Sequence, residues 1–239
     1  MDRCDFLPVS AEEMHERGWW WYDALVVGGD AYVDHPSFGT AVISRVLEAE
    51  GLRVAVLAQP DWHDAEAFRA MGRPRLGVFI GAGNLDSMVA HYTAAKRRRS
   101  EDFYSPGKRT GCRPDRAAIV YCNRAREAFG PDVPIILGSL EASLRRFAHY
   151  DYWDDSVRRA ILFDAPADLL VYGMGEAATI EIAHRLKKKQ SVHTMTDIPG
   201  TGYITRDPSV CKFDHITLPS FEDVRDDKRL YAEATRTEY

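Results

Sequence analysis

Cysteine is scarce in this sequence and is never closely paired. The 239 residues include four cysteines, Cys4, Cys112, Cys122 and Cys211, and no two of them form a CxxC pair. Metal sites built from cysteine usually take their ligands from close pairs, so we expect no site made of these cysteines alone. Cys122 stands among apolar residues at helical spacing, which predicts a place in the core.

Long apolar runs and an excess of positive charge are missing too. No stretch approaches the roughly 20 apolar residues that span a bilayer, and no apolar signal core follows the first residues. We therefore expect a cytoplasmic protein with no membrane partner. The formal net charge of −5 argues against nucleic-acid binding by the chain as a whole, but it is compatible with a local basic patch.

Five short apolar runs are present, and a turn with glycine or proline follows each of them. They cover residues 24–28, 53–58, 76–81, 133–138 and 168–173. Short apolar runs with β-branched residues, separated by helical stretches, predict buried parallel strands. The predicted fold is a doubly wound α/β domain with a mostly parallel five-stranded sheet in flavodoxin-like order. Since ligands bind beyond the carboxyl ends of such strands, a site is expected in the turns.

Helical patterns fill the spaces between the predicted strands. The pattern over residues 38–50 has apolar residues at three- and four-residue spacing, and Gly51 ends it. Pro114 suits the first turn of a later helix, which carries Cys122 on its apolar face. The further predicted helices cover residues 61–71, 84–97 and 176–189, with a partly helical segment over 140–163.

The composition changes near residue 191. Thr, Pro and Gly become frequent through residue 219, which predicts an irregular segment. A capping sequence at Ser220 then opens a last helix. We therefore divide the chain into an α/β domain over residues 1–190 and an extension with a linker helix over residues 191–239.

Positive charge is concentrated in residues 96–116. The segment has eight basic residues against three acidic ones, a local balance of +5. With Ser105-Pro106-Gly107 at its centre, it predicts a solvated, mobile loop. Contact with phosphates or RNA is the alternative, which the scarcity of aromatic residues beyond Phe103 and Tyr104 weakens. The basic residues are Lys96, Arg97, Arg98, Arg99, Lys108, Arg109, Arg113 and Arg116.

Three residues after the first predicted strand suit chemistry: Asp30, Asp34 and His35. A carboxylate beside an imidazole can bind a metal ion or move a proton. Loops at strand ends are also enriched in functional residues. The alternative is loop architecture, in which Asp34 caps the turn and Pro36 restricts the backbone of His35.

The other strand-end turns supply further candidates for cofactor binding. The stretch Gly81-Ala82-Gly83-Asn84-Leu85-Asp86 is half of a dinucleotide fingerprint, and Asp86 stands where a third glycine would be needed. Tight-turn geometry suffices to explain both glycines. No catalytic residue and no metal ligand is assigned. The candidate cofactor-binding residues are Asp30, Asp34, His35, Gly83, Asn84, Gly138, Glu141, Gly173 and Glu176.

Several longer motifs match a known family in their order and over nearly the whole chain. They resemble the N-terminal region of YgiQ-type radical-SAM proteins, which implies an accessory domain of a longer polypeptide. The motifs are Gly29-Asp30-Ala31-Tyr32-Val33-Asp34-His35-Pro36-Ser37-Phe38-Gly39, Leu57-Ala58-Gln59-Pro60-Asp61-Trp62, Gly83-Asn84-Leu85-Asp86-Ser87-Met88, Glu141-Ala142-Ser143-Leu144-Arg145-Arg146 and His149-Tyr150-Asp151-Tyr152-Trp153.

The resemblance implies cofactors that other parts of the parent protein would hold. The family binds a [4Fe–4S] cluster through a CxxxCxxC motif, and S-adenosylmethionine binds to that cluster. The motif occurs nowhere in this sequence. The resemblance therefore assigns the cluster and S-adenosylmethionine to a radical-SAM domain of the same polypeptide, outside this chain. It leaves the substrate, a small molecule or a macromolecule, undefined.

A dense group of arginines and aromatic residues follows the fourth predicted strand. Arginine beside aromatic residues is typical of buried interfaces. We expect a docking surface for the radical-SAM domain, with an ion-pair network inside this domain as the alternative. The group consists of Glu141, Arg145, Arg146, His149, Tyr150, Tyr152 and Trp153.

The predicted strand order also resembles the cobalamin-binding fold that precedes many radical-SAM domains. Domains that bind cobalamin through a histidine carry Asp-x-His-x-x-Gly after the first strand. Here Asp34 and His35 are adjacent, and Gly39 lies four residues past the histidine. The pattern thus departs from histidine-ligated cobalamin binding and leaves weaker cofactor binding open.

Three functions are compatible with these patterns. The first is a non-catalytic accessory domain that shapes a radical-SAM catalytic site or holds its substrate. The second is a binding module for a corrinoid or another nucleotide-like cofactor. The third is a self-sufficient enzyme that uses Asp30, Asp34 and His35 with a metal ion.

Overall fold

The centre of the fold is a six-stranded, mostly parallel sheet. The computed structural model describes residues 6–238, so Cys4 lies outside the described residues. The strands are β1 (Ala24–Gly28), β2 (Val54–Ala58), β3 (Gly77–Gly81), β4 (Ile135–Gly138), β5 (His149–Asp151), β6 (Ser156–Arg158), β7 (Leu169–Val171) and β8 (Thr201–Gly202). The sheet order is β2-β1-β3-β4-β7-β8, and β5 and β6 form a separate antiparallel hairpin.

The predicted flavodoxin-like arrangement of five parallel strands is confirmed, and the structure adds a sixth strand. β1 pairs in parallel with β2 and β3, β3 with β4, and β4 with β7. β8 pairs antiparallel with β7, with Gly202 opposite Leu170. Only two residues of the Thr-, Pro- and Gly-rich extension form β8, which is too short for an alternating pattern to predict.

Helices cover both faces of the sheet. They are α1 (Ala11–Glu16), α2 (Gly39–Ala49), α3 (Glu66–Arg69), α4 (Ser87–His91), α5 (Ala117–Phe129), α6 (Ser139–Leu144), α7 (Glu176–Lys187), α8 (Phe221–Asp226) and α9 (Lys228–Glu238). Short 3₁₀ turns occur at Pro106–Lys108, Ile161–Phe163, Val192–Thr194 and Pro208–Val210. Within residues 6–238, every helix is too short or too polar to cross a bilayer.

Apolar side chains fill a core on each side of the sheet. On one side, Val26 packs with Leu47 of α2 and Ile182 of α7. On the other side, Leu25 packs with Cys122 of α5, which confirms Cys122 as a core residue. Neighbouring residues of one strand thus face opposite cores, as expected for parallel strands covered on both faces.

The first part of the extension belongs to one of these cores. Val192, Met195 and Ile198 are buried with the side chains of α2 and α7. β8 follows directly and completes the sheet edge. Residues 192–202 are therefore packed on the α/β core, and the segment beyond them is largely exposed.

The helix predicted over residues 84–97 is wrong in length, because α4 has five residues. Asp86 caps it and accepts hydrogen bonds from the amides of Met88 and Val89. At its other end, Arg99 Nε donates to the carbonyls of Val89 and Tyr92 at 3.1 and 3.2 Å. The arginine side chain thus satisfies carbonyls that a longer helix would have paired with its own amides.

Two other helices also begin later than predicted. The helix expected over residues 61–71 is only α3, and the Asp64 side chain accepts from the amide of Glu66 at 2.8 Å. α5 begins at Ala117, three residues after Pro114, because Arg116 adopts a left-handed conformation with φ of 51°. The predicted cap at Ser220 is confirmed, since its side chain accepts from the amide of Asp223.

The C-terminal helices α8 and α9 contact the hairpin and α6 region. The hydroxyl of Tyr231 accepts a hydrogen bond from the amide of Tyr150 at 2.9 Å. Arg146 and Glu238 form an ion pair at 2.7 Å. The last helices therefore cover part of the surface that follows β4.

Candidate functional site

A cavity of about 220 Å³, which we call the strand-end cavity, lies where four parallel strands end. Its walls come from the ends of β1, β3, β4 and β7 and from the N-terminal halves of α2 and α7. The polar residues that line it are Thr40, Ser139, Glu176 and Thr179, and the remaining lining is apolar or glycine. The cavity therefore suits a compact, mainly apolar group with a few polar atoms.

Four of the nine predicted cofactor-binding residues line this cavity: Gly83, Gly138, Gly173 and Glu176. The other five, Asp30, Asp34, His35, Asn84 and Glu141, are not among its lining residues. Sequence reasoning missed Thr40, Ser139 and Thr179, although Ser139 directly follows the singled-out Gly138. The two threonines carry no sequence signal, because they face the cavity only once α2 and α7 pack on the sheet.

Two glycines let the first and third strand-end turns come close together. Gly83 has φ of +112°, and a Cβ there would lie 2.3 Å from Asp30 Oδ1. A Cβ on Gly29 would lie 1.9 Å from the carbonyl oxygen of Ala82. The close approach leaves no room for a Cβ at either position, and at Gly83 the positive φ also favours glycine.

Ser139 is held in a strained conformation at the cavity wall. Its φ is 74°, which is unusual for a residue other than glycine. The hydroxyl accepts a hydrogen bond from the amide of Ala82 at 3.1 Å. Such strained residues cluster at functional sites.

Asp30 belongs to a buried ion-pair group beside the cavity. Arg113 Nη1 donates to Asp30 Oδ1 at 2.7 Å, and its other nitrogens bind the Asp102 carboxylate at 2.9 to 3.2 Å. The Asp30 carboxylate also accepts from the amide of Asn84 at 2.7 Å. Arg113 is only 1% exposed. A buried guanidinium is tolerated here because two carboxylates surround it.

The same group corrects the expectation of a mobile loop over residues 96–116. Much of the segment is exposed, but Asp102, Ser105 and Arg113 are buried. Ser105 donates to Asp102 at 2.9 Å and accepts from the Gln59 amide group at 2.7 Å. The segment is therefore anchored to the strand ends, which charge counting in the sequence did not predict.

Burial raises the pKa of Asp30 above its ordinary value, even though the Arg113 charge acts in the opposite direction. The carboxylate is 4% exposed and is committed to Arg113 and to the amide of Asn84. Its geometry is that of a structural anchor for the first and third turns.

Asp34 and His35 have separate surroundings. Asp34 is ion-paired with Arg45 of α2. The exposed His35 ring accepts a hydrogen bond from the amide of Ser37 at 3.1 Å through Nδ1. Asp30, Asp34 and His35 therefore have separate partners, and Asp34 binds the Arg45 side chain rather than capping the turn.

Asn84 joins the first loop to the third turn. Its Oδ1 accepts from the amide of Gly39 at 3.2 Å, and its Nδ2 donates to the carbonyl of Ser37 at 2.9 Å. Asn84 thereby positions the start of α2, whose first residues line the cavity.

Glu141 is buried and links three helices. On α6, its carboxylate accepts from the amide of Ser87 in α4 at 2.9 Å and from the amide of Ala118 in α5 at 3.0 Å. Burial, followed by the nearby Asp86 charge, raises the pKa of Glu141. The carboxylate satisfies two amides at helix N-termini that would otherwise be unpaired.

Part of the predicted docking surface after β4 makes contacts within this chain. Arg145 pairs with Asp86, and Arg146 pairs with Glu238 of α9. Both the ion-pair alternative and an exposed apolar area are thus observed. The exposed apolar residues in and near this area are Leu140, Leu144, Phe147, Tyr172 and Met174.

Within residues 6–238, no group of three or more His, Cys, Asp or Glu side chains is placed to hold a metal ion. Burial raises the pKa of the Cys122 thiol, which keeps it protonated and unsuited to metal binding. The residues in this range do not fit an iron–sulfur cluster.

Comparisons with known proteins agree with the fold and with the sequence motifs. The chain is 54% identical over 239 residues to a UPF0313 protein of Clostridium botulinum and spans 37% of that protein. It is 52% identical to a UPF0313 protein of Clostridium perfringens and spans 36% of it. The chain thus covers little more than a third of the length of these curated relatives.

A solved structure shares the fold. It is the radical S-adenosylmethionine methyltransferase TsrM from Kitasatospora setae, with tryptophan substrate and a SAM analogue bound. The likeness has a TM-score of 0.50 and 20% identity, and covers 77% of this chain and 28% of that one. At this identity, it shows the α/β fold alone.

The family model described as "Radical SAM N-terminal" matches residues 6–239. This match confirms the predicted resemblance to the N-terminal region of a radical-SAM protein. The chain belongs to the Radical SAM N-terminal family.

Proposed function

We propose that this chain is an accessory module of a longer radical-SAM protein and that it holds a small molecule, substrate or cofactor, in the strand-end cavity. The observation that carries the proposal is the cavity itself. It lies at the carboxyl ends of β1, β3, β4 and β7, where doubly wound folds bind their ligands. The catalytic step would belong to the rest of the parent.

The lining indicates how a ligand would be held. Apolar walls would exclude water from its body, and the hydroxyls of Thr40 and Thr179 would meet its polar atoms. The Glu176 carboxylate lines the cavity and has no hydrogen bond or ion pair to another side chain within residues 6–238. It is therefore available as an acceptor for a donor group of the ligand.

The [4Fe–4S] cluster and S-adenosylmethionine belong to the same proposal. We assign them to the part of the parent where the family's CxxxCxxC motif is expected. When bound there, they would supply the radical chemistry. Of the extension over residues 191–239, the part that follows β8 would connect this module to that part.

An exposed apolar area near the cavity suits docking of the radical-SAM domain. Met174 lines the cavity and is 87% exposed, and Leu144, Phe147 and Tyr172 are exposed on neighbouring elements. Contiguous exposed apolar surface is typical of interaction sites. Docking here would bring the catalytic domain to the mouth of the cavity.

The docking part is tested by mixing this chain with the separately expressed remainder of its parent and measuring association by sedimentation velocity. Leu144→Asp should weaken association about tenfold, since it places a charge where an apolar side chain would be buried. Ile216→Asp, at an exposed residue of the extension, is the matched control and should have little effect. No association of the wild-type pieces at about 100 μM, a weak binding range, would contradict docking.

The cavity part is tested on the full-length parent. Small molecules released from the purified protein by denaturation are identified by mass spectrometry. Thr179→Phe should fill the cavity and abolish a co-purifying ligand, whereas Thr179→Val keeps the volume and should retain most of it. Equal ligand content in the wild type and Thr179→Phe would contradict the proposal.

A corrinoid is the second candidate ligand, because the apolar slot between α2 and α7 would take one side arm of a corrinoid, with the macrocycle outside the cavity. His35 does not line that slot, so binding would not use it as a ligand to cobalt. The probe is hydroxocobalamin, titrated into this chain and followed by absorbance. A spectral change that Thr179→Phe removes supports the corrinoid, and an unchanged spectrum removes it.

A further inference from the structure

A second concave region lies outside the strand-end cavity. It is a groove of about 600 Å³ between α4 and the segment that carries most of the basic residues. Its lining includes the apolar Leu85 and Val89 and three consecutive arginines. Phe103 and two carboxylates, Glu101 and Asp102, also line it; the arginines are Arg97, Arg98 and Arg99. We call it the basic groove.

Positive charge in this region exceeds what its own carboxylates neutralise. Among the eight basic residues of the segment, Lys108 pairs with Glu101, Arg113 with Asp102 and Arg116 with Asp151. The other five have no ion-pair partner within the described range 6–238. They are Lys96, Arg97, Arg98, Arg99 and Arg109. Like charges held this close together attract a polyanion.

The arginine run is held on a fixed scaffold. The amide of Thr93 donates to the carbonyl of Arg97 at 2.9 Å, and Tyr92 pairs with Arg98 in an antiparallel bridge. Arg99 Nε donates to two carbonyls at the end of α4. The backbone of Arg97 and Arg98 and the side chain of Arg99 are therefore held in place before binding, which lowers the cost of ordering this segment.

Two exposed aromatic rings lie beside basic residues of this segment. Phe103 lines the groove and is 74% exposed, with Lys108 Nζ 4.8 Å from its ring centroid. Tyr152, on the β5–β6 hairpin region, is 47% exposed, and Lys96 Nζ lies 4.9 Å from its ring centroid. Lys96 Nζ also donates to the carbonyl of Trp153 at 3.1 Å. Each ring is thus coupled to a cation.

We propose that the basic groove and these flanking rings bind single-stranded nucleic acid. The unpaired guanidinium groups would contact successive phosphates, and the exposed rings would stack on bases. An acidic protein segment would use the charges but would have no base to stack on Phe103. Because the chain as a whole has a net charge of −5, binding would be confined to this patch.

The test is fluorescence anisotropy of a labelled 12-nucleotide single-stranded RNA, and of the same sequence as DNA, titrated with this chain at two salt concentrations. We expect micromolar affinity that falls as salt rises. Combining Arg97→Glu with Arg98→Glu should weaken binding at least about tenfold. It should also reduce the slope of log affinity against log salt by about 1.4, or about 0.7 for each lost phosphate contact.

Phe103→Ala tests the stacking part and should weaken binding about fivefold or more, with an unchanged salt slope. Arg73→Glu is the control for reversing one charge of this kind at an exposed residue elsewhere, and it should have little effect. Far-UV circular dichroism checks that each variant is folded, and Arg109→Glu replaces the double variant if that one is not.

Three results would overturn the proposal. The first is that the wild type binds neither oligonucleotide, and the second is that Arg73→Glu and the double variant lose the same amount of affinity. The third is that a 12-residue glutamate peptide binds as tightly as RNA while Phe103→Ala has no effect on affinity. The last result would assign the groove to an acidic protein. Thr179→Phe alters only the strand-end cavity, so it should leave RNA binding intact and keep the two proposals separately testable.

Discussion

The strand-end cavity and the basic groove are lined by different kinds of residue. Glycines, backbone and apolar side chains form most of the cavity wall, whereas three arginines and an exposed ring define the groove. The cavity therefore depends on close backbone approach and should be sensitive to one added methyl group. The groove depends on charge and should respond chiefly to salt and to charge reversal.

The two regions nevertheless share supports. Arg113 joins Asp30, beside the cavity, to Asp102, which lines the groove. Glu141 is on α6, which begins at the cavity wall, and binds the amide of Ser87 at the start of α4. Two buried polar side chains thus hold the two sites in one relative position.

The largest expected effect comes from Arg113→Met. It leaves Asp30 and Asp102 buried without their cation, and breaking a buried ion pair in this way costs about 3–5 kcal/mol. Urea unfolding measures the change in the free energy of unfolding. The ligand content of the cavity and RNA binding by the groove should both fall in this variant. Arg109→Met, at an exposed position, should change the free energy of unfolding by less than about 0.5 kcal/mol. Similar losses for the two variants would contradict the shared support.

The next largest loss of stability is expected from Glu141→Leu. It leaves the buried amides of Ser87 and Ala118 without an acceptor, and each unsatisfied group costs about 1–3 kcal/mol. We expect a loss of about 3 kcal/mol in the free energy of unfolding. The control is Glu16→Leu at an exposed helix end, and an equally small change in both variants would show that Glu141 does not link α6 to α4.

Gly29→Ala should affect the cavity more than the groove. The added Cβ would lie 1.9 Å from the carbonyl oxygen of Ala82, so the two turns must move apart, at a cost of about 2 kcal/mol. Gly39→Ala is matched, because its Cβ would meet nothing within 4 Å and alanine favours the helix. The midpoint temperature of thermal unfolding should fall in Gly29→Ala only. RNA binding by Gly29→Ala should change less than its cavity ligand content, and the reverse order would contradict the comparison.

The smallest effect concerns pH and lies outside both regions, on β5. Burial lowers the pKa of His149 below its ordinary value of about 6.5. The unfolded chain therefore takes up a proton first as pH falls through about 6.5, and the folded state loses stability. His149→Gln should flatten this part of the curve of unfolding free energy against pH. The exposed His215→Gln is the control, and an unchanged curve in His149→Gln would contradict the assignment.

Much of the architecture could be predicted from local patterns. The five parallel strands, their order and the helices α2 and α7 follow from apolar spacing and from Gly51, because such signals are contained within a few neighbouring residues. β8 was missed because two residues cannot show a pattern. α4 was overestimated because Arg99, a residue outside it, satisfies the carbonyls at its end.

The candidate site also has features that the sequence predicts and features that it does not. Sequence alone determined that glycine turns follow the strands, and four of the candidate residues line the cavity because parallel strands end at one edge. Tertiary structure decided that Asp30 is an anchor for Arg113, which is 83 residues away in sequence. It also decided which of the basic residues remain unpaired. Pairing of charges and lining of a cavity depend on distances between remote segments, and these exist only after the chain has folded.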